Sequence, residues 1–235
     1  MRPAVKLIRI AALLRLAYGP TRPQRRRDNP LDALIHTVLS QNTSDLNSDR
    51  AYATLRQRFP EWEGVHQTPL RQLIAAIRSG GLANIKAVRI KALLEEIWAD
   101  QGHFDLSFLR DLSTEEVKAY LARFQGVGSK TIACVLLFGM GRPAFPVDTH
   151  VFRVTRRLGL LNGRFTPEKA QEFLESRIPP GDRYALHVQL VQHGRQVCKA
   201  QRPLCASCVL ARVCGPTSAS ENAADAVSVD RSRAI

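Results

Sequence analysis

The chain has no apolar run long enough to cross a bilayer: its longest uncharged apolar stretches, such as 10–14 and 132–140, fall far short of the about 20 residues a membrane helix needs. No membrane partnership is expected. It also has no alternating polar and apolar run long enough to build a sheet, and no internal repeat, which leaves an all-α fold. Lys6, Arg9 and Arg15 interrupt the apolar N-terminal stretch, so a secretory signal is not expected and a reducing compartment is, where disulfides are rare. The expected location is the cytoplasm, on the nucleoid in a bacterium, with a nucleus or mitochondrion left open. Acidic residues are the scarcest large class: 21 Asp and Glu face 34 Lys and Arg, leaving a formal charge of +13. Residues 1–27 hold eight basic side chains and no acid. Such an excess points to a polyanionic partner.

What is present is a core-sized chain punctuated as helices. Its 235 residues, 45% hydrophobic and 23% charged, suffice for one large domain or two compact lobes without covalent staples. Ser113 and Glu116 form a capping box, after which Val117, Tyr120, Leu121 and Phe124 share one helical face. Thr166 and Pro167 open another helix, with Ala170, Phe173, Leu174 and Ile178 inward. Further helices are predicted over about 5–17, 31–40, 44–58, 69–78, 84–99, 129–140, 149–158 and 183–197. Glycine and proline clusters at 80–81, 126–128, 139–146 and 179–181 mark the breaks. The segment 215–235 is small, polar and rich in Ala and Ser, and reads as a disordered tail.

Three constellations carry chemistry. Cys198, Cys205, Cys208 and Cys214 lie close enough in sequence for their thiolates to wrap one compact inorganic centre, in a segment with too few apolar residues to hold its own shape. Zinc and an iron-sulfur centre both remain open on this pattern. Cys134, inside an apolar helix, reads as a small buried hydrophobe. Second, Gly126-Val127-Gly128 joins two amphipathic helices, and such a turn lets backbone N–H groups approach a phosphate. Lys130 follows in the first turn of the next helix, at the positive end of its dipole. Third, Pro146-Val147-Asp148-Thr149-His150 places Asp148 to cap a helix. A capping carboxylate is suited to balancing positive charge or steering a nucleophile rather than to donating a proton.

From Asn29 to Cys214 the chain resembles the endonuclease III branch of the helix-hairpin-helix DNA glycosylases. The residues that carry this are Gly126-Val127-Gly128-Ser129-Lys130-Thr131, then Val147-Asp148-Thr149-His150-Val151-Phe152-Arg153-Val154, then His193-Gly194-Arg195 and the four cysteines. Leu39-Ser40-Gln41-Asn42-Thr43 and Gly81-Leu82-Ala83-Asn84-Ile85-Lys86-Ala87 match more weakly. The resemblance implies two helical lobes with a DNA groove between them. One is a six-helix barrel with the helix-hairpin-helix over 27–142; the other is built from 1–26 and 143–214 and carries a structural 4Fe-4S cluster on the four cysteines. It implies that Lys130 is the nucleophile and Asp148 its activating carboxylate, facing a common cleft. Gln41 and Leu82 would be duplex wedges, Gly126, Val127 and Gly128 the phosphate grip, and His150, Lys199 and Arg202 further DNA contacts. The activity implied is removal of oxidised pyrimidines from duplex DNA and β-elimination at the abasic site, by a monomer.

The sequence departs from that family's pattern at several places. Phe124-Gln125 and Ser129 replace a Leu-Pro pair and a basic residue around the hairpin, Ala83 and Ile85 replace a tyrosine and a serine, and Ser44-Asp45 shifts an acid by one position. These departures put substrate range in question, so glycosylases of the same superfamily for alkylated or mismatched bases remain alternatives. The adenine-specific branch fits less well, because Thr37 stands near its catalytic glutamate and it usually lacks a lysine at Lys130. A DNA-binding protein without catalysis would need neither Lys130 nor Asp148.

Overall fold

The computed structural model describes residues 3–21, 29–161, 163 and 165–214; the 215–235 segment expected to be disordered lies outside them. The described residues are helical, with no strand among them. By its contacts the chain divides into two compact units, Gln24–Arg142 and Met1–Pro23 with Pro143–Ile235.

The Gln24–Arg142 unit holds α2 (Pro30–Ser40), α3 (Asp45–Arg58), α4 (Trp62–Gln67), α5 (Leu70–Ala76), α6 (Ala83–Gln101), α7 (Thr114–Ala122) and α8 (Ser129–Cys134). The central helix is α2, which buries Leu31, Ala33, Leu34, Ile35, Val38 and Leu39. Asn29 caps it, its Oδ1 accepting the Leu31 N–H at 3.0 Å, with Pro30 supplying a fixed first turn. The capping box of α7 is formed as its sequence predicts, with Ser113 Oγ accepting from Glu116 N at 3.2 Å and Glu116 Oε2 accepting from Ser113 N at 2.7 Å. After Cys134 the helix continues as a π turn over Val135–Met140. There a Cβ on Gly139 would lie 2.5 Å from the Ala33 Cβ, so only glycine lets this segment press against α2.

The second unit is built from α1 (Pro3–Tyr18), α9 (Thr149–Arg157), α10 (Pro167–Glu175) and α11 (Arg183–Gln196), followed by short 3₁₀ turns at Cys205–Ser207 and Ala211–Val213. Leu7, Ile10 and Leu14 of α1 repeat at helical spacing and enter a core with Val151, Val154, Leu186 and Leu190. Thr166 caps α10 on Lys169 N at 3.3 Å, and Ala170 and Leu174 turn inward as expected.

Candidate active site

The hairpin turn is shaped by what its glycines permit. Gly126 has φ +80, and a Cβ there would lie 2.7 Å from Arg89 Nε, so a side chain would be both strained and blocked. Val127 is 5% exposed and plugs the turn into the core, while its N–H bonds Phe124 O at 3.1 Å. Gly128 is the N-cap of α8 with extended backbone, and no atom lies within 4 Å of where its Cβ would be, which leaves its main chain approachable. Lys130 is the second residue of α8 and half-buried, with buried Thr131 and Ile132 beside it. Among the described residues no carboxylate or carbonyl pairs with its Nζ.

The same unit carries both wedge candidates. Gln41 follows the C-terminus of α2, and its Oε1 accepts a hydrogen bond from Arg89 Nη1. Leu82 is 50% exposed, so it is not part of the core. It stands in left-handed backbone at φ 50, ψ 34, a conformation that costs a non-glycine residue about 1–2 kcal/mol. Leu82 lines a pocket of about 420 Å³ with Ile74, Arg78, Ala83, Asn84 and Ile85, so two of the family departures sit on its wall. Among the described residues the non-glycine positions with positive φ are Asn42, Leu82 and Arg202. Each is a predicted DNA contact or next to one, and strain of this kind concentrates at functional positions.

Lys86, part of the weaker family match but given no role by it, fastens these wedge segments. Lys86 on α6 is 1% exposed, and its Nζ donates to Leu39 O and Gly80 O, both at 2.7 Å. Those carbonyls lie two residues before Gln41 and two before Leu82. Burial pushes the Lys86 amine below its ordinary value. The signal was available: positions 86, 90, 93 and 97 fall on one face of α6, and the other three are buried Ile90, Leu93 and Ile97.

In the other unit Asp148 caps α9, its Oδ1 accepting the Val151 N–H at 2.7 Å. The preceding strut is fixed by His187, whose Nδ1 donates to Pro146 O at 2.9 Å. Asp148 is half-buried rather than sealed. His150 is half-buried and its Nδ1 lies 3.1 Å from Arg153 Nη2. Burial lowers its pKa, and the negative charge of Asp148 opposes that. A Cβ on Gly194 would come within 3.0 Å of His150 Cβ, so the glycine of the His-Gly-Arg motif lets α11 approach α9.

The cysteine segment is held by α9 and α11. Arg153 donates to Gly194 O at 2.8 Å and Cys198 O at 3.1 Å. Arg157 donates to Lys199 O at 2.6 Å, Ala200 O at 3.0 Å and Cys198 Sγ at 3.5 Å. His193, 1% exposed, sits between Tyr18 Oη at 2.8 Å and Cys208 Sγ at 3.5 Å. Cys198, Cys208 and Cys214 pack against the core, while Cys205 is exposed. The Cys208 thiol is pushed up first by burial and then by the charges of Cys198, Cys214 and Cys205, so the four sulfurs share one electrostatic neighbourhood. Among the described residues no group of three or more His, Cys, Asp or Glu side chains is arranged to hold a metal ion, so the arrangement of the four cysteines does not itself show the expected centre. Their chemistry, four thiols with an arginine donor on one sulfur, suits a thiolate-bound soft metal centre. Lys199 and Arg202, both exposed, lie in the loop those contacts anchor.

Comparisons with known proteins identify the family. The family model for HhH-GPD superfamily base excision DNA repair proteins matches residues 35–180. The chain is 41% identical over 172 residues to an Arabidopsis thaliana protein that bears the name of a DNA glycosylase, covering 73% of this chain and 59% of that relative. It is 32% identical over 188 residues to endonuclease III of Sulfolobus acidocaldarius, covering 79% of this chain and 82% of that protein. It is 34% identical over 186 residues to endonuclease III of Bacillus subtilis, covering 79% and 81%. Among solved structures, a non-covalent endonuclease III–DNA complex superposes with a TM-score of 0.78 at 28% identity, covering 91% of this chain and 96% of the other. This all-helical chain is therefore a member of the endonuclease III family within the helix-hairpin-helix (HhH-GPD) superfamily of DNA glycosylases.

Proposed function

We propose that this protein is a bifunctional DNA glycosylase and AP lyase that removes oxidised pyrimidines from duplex DNA and cleaves the abasic strand by β-elimination. The observation that carries the reading is Lys130: a half-buried amine, unpaired among the described residues, in the first turn of the helix that the Gly126–Gly128 turn launches. A lysine kept for stability is normally paired or fully solvated.

The chemistry follows from the groups. A damaged base is out of reach inside a duplex, so its nucleotide is everted, at a cost that lesions reduce; Gln41 and Leu82 fill and hold open the gap. The Lys130 amine attacks C1′ of the deoxyribose, the C1′–N bond breaks, and the base leaves with the bonding pair and a proton. Asp148 takes the proton that the amine sheds and balances the cationic sugar on the way. The C1′–O4′ bond then opens, O4′ taking the bonding pair and the proton that Asp148 received, which leaves a Lys130–C1′ iminium; that iminium withdraws electrons, so loss of a C2′ proton expels the 3′ phosphate and nicks the strand. The helix N-cap role of Asp148 keeps its carboxylate aimed by Val151 N–H.

Cys198, Cys205, Cys208 and Cys214 would hold a 4Fe-4S cluster, which braces the loop carrying Lys199 and Arg202 and takes no part in bond breaking. Those two side chains, the hairpin backbone and His150 bind the phosphates of duplex DNA, and the protein acts as a monomer. Two solved relatives support the DNA reading, being endonuclease III–DNA complexes at 28% identity.

The apolar wall that Ala83 and Ile85 give the pocket beside Leu82 favours a second reading, in which an alkylated or mismatched base is the substrate. Borohydride trapping decides between them. Duplexes carrying an oxidised pyrimidine or an abasic site should yield a covalent complex with the wild-type protein. Trapping of neither would remove the lyase, and base release only from alkylated or mismatched duplexes would favour the second reading. The purified protein should be yellow-brown with four irons per chain on the cluster reading; a colourless zinc protein would overturn it.

A further inference from the structure

Arg89 is a half-buried cation for which neither the fold nor the proposed chemistry has a use. Its side chain crosses the hairpin turn, where a Cβ on Gly126 would lie 2.7 Å from its Nε, 3.0 Å from its Cδ and 3.1 Å from its Cζ. Its Nη1 donates to Gln41 Oε1. Among the described residues that amide oxygen is its hydrogen-bond partner and no carboxylate pairs with it. Another partly buried arginine of the same unit is better satisfied. Arg142 donates to the carbonyls of Leu109, Arg110 and Leu112. A guanidinium offers five N–H donors in a fork matched to phosphate oxygens. With one acceptor supplied by the protein, most of that fork stays open to an incoming anion.

Two neighbours indicate which ligand. Gly126 belongs to a turn whose backbone is approachable at Gly128, and Gln41 is a candidate wedge. We propose that Arg89 is a phosphodiester-binding residue of the hairpin, parked on Gln41 in the free protein. When DNA binds, a phosphate oxygen replaces the Gln41 amide on the guanidinium, because a phosphate carries full negative charge and can take two of the fork's N–H groups at once, which a single neutral amide oxygen cannot. The exchange frees Gln41 at the moment the duplex arrives. It also gives Gly126 a second reason to lack a side chain: the guanidinium lies against the turn, so that cation and backbone N–H groups reach one phosphate. The inference rests on the DNA-binding reading of the protein and on neither its lesion nor its chemistry.

The test is the salt dependence of binding to a fluorescent duplex containing a stable abasic-site analogue. Each neutralised phosphate contributes about 0.9 to the slope of log K against log salt. Arg89→Gln should lower that slope by about 0.9, and Arg89→Lys should recover most of it. Lys118→Gln, which removes an equal charge from an exposed pair with Glu115, should leave the slope unchanged. A steep wild-type slope that Arg89→Gln does not alter, even if turnover falls, would overturn the assignment and leave Arg89 as a support for Gln41. A flat response in the wild-type protein would instead overturn the DNA-binding reading, and Arg89 with it. Thermal melts of each variant separate loss of fold from loss of the contact.

Discussion

Lys86 and Lys130 belong to one unit and carry the same functional group, yet their surroundings assign them opposite tasks. The amine of Lys86 is sealed at 1% exposure and consumed by two main-chain carbonyls at 2.7 Å. The amine of Lys130 is half-buried at a helix start and, among the described residues, bonded to none. Desolvation alone does not make a nucleophile; the amine must also be within reach of a substrate, with its lone pair free to attack. Lys86 instead ties the end of α2 to the turn before α6, and so holds the segments that present Gln41 and Leu82.

The sharpest way to break this comparison is to exchange the tasks. Lys130→Ala should abolish base release and strand cleavage on lesion-bearing duplexes while the melting temperature stays close to wild type. Lys86→Met, in a well-folded population, should retain trapping. Next in size, Asp148→Asn should lower single-turnover rates by about 10²–10⁴-fold with the fold intact, because asparagine also caps helices well; an unchanged rate would reduce Asp148 to a cap. Lys86→Met leaves two buried carbonyls without a donor and should cost about 1–3 kcal/mol in denaturant unfolding. Its pH behaviour carries a sign. The folded Lys86 pKa lies below the ordinary 10.5, so the unfolded chain holds the proton more tightly as pH approaches that value from below. Wild-type stability should therefore gain relative to Lys86→Met as pH rises through the window between the folded value and 10.5. The smallest effect expected is from Gly126→Ala, about 1–2 kcal/mol for the left-handed backbone, accompanied by weaker DNA binding as Arg89 is displaced; equal affinity would detach the turn from the interface.

Much of the molecule was legible in the sequence wherever a local rule governed it. The caps at Ser113 and Thr166, the inward faces of α1 and α10, and the Gly126 turn follow from spacing and backbone freedom, and the structure has them. The helix α4 was not legible, because six residues span too few turns to show a period, although Trp62 and Val65 are buried. The expected single helix over 129–140 becomes α-helix and then π turn, since the approach of Gly139 to Ala33 is a tertiary demand. The 69–78 helix stops at Ala76 and passes into a 3₁₀ turn at Arg78–Gly80. Gly80 is buried there, a Cβ on it would lie 3.0 Å from Ala51 Cβ, and its carbonyl takes a Lys86 hydrogen bond. The residues that serve the candidate site through others were the least visible. Arg89 and Arg157 act through neighbours 48 and 41 positions away, separations that no window of sequence reports.

The assignment of Lys130 is tested most directly by finding the atom to which the sugar attaches. After borohydride reduction of the complex with an abasic duplex, nuclease and protease digestion followed by mass spectrometry should place the reduced deoxyribose adduct on the peptide containing Lys130. An adduct on Lys86, on another lysine or on the chain's α-amine would contradict it.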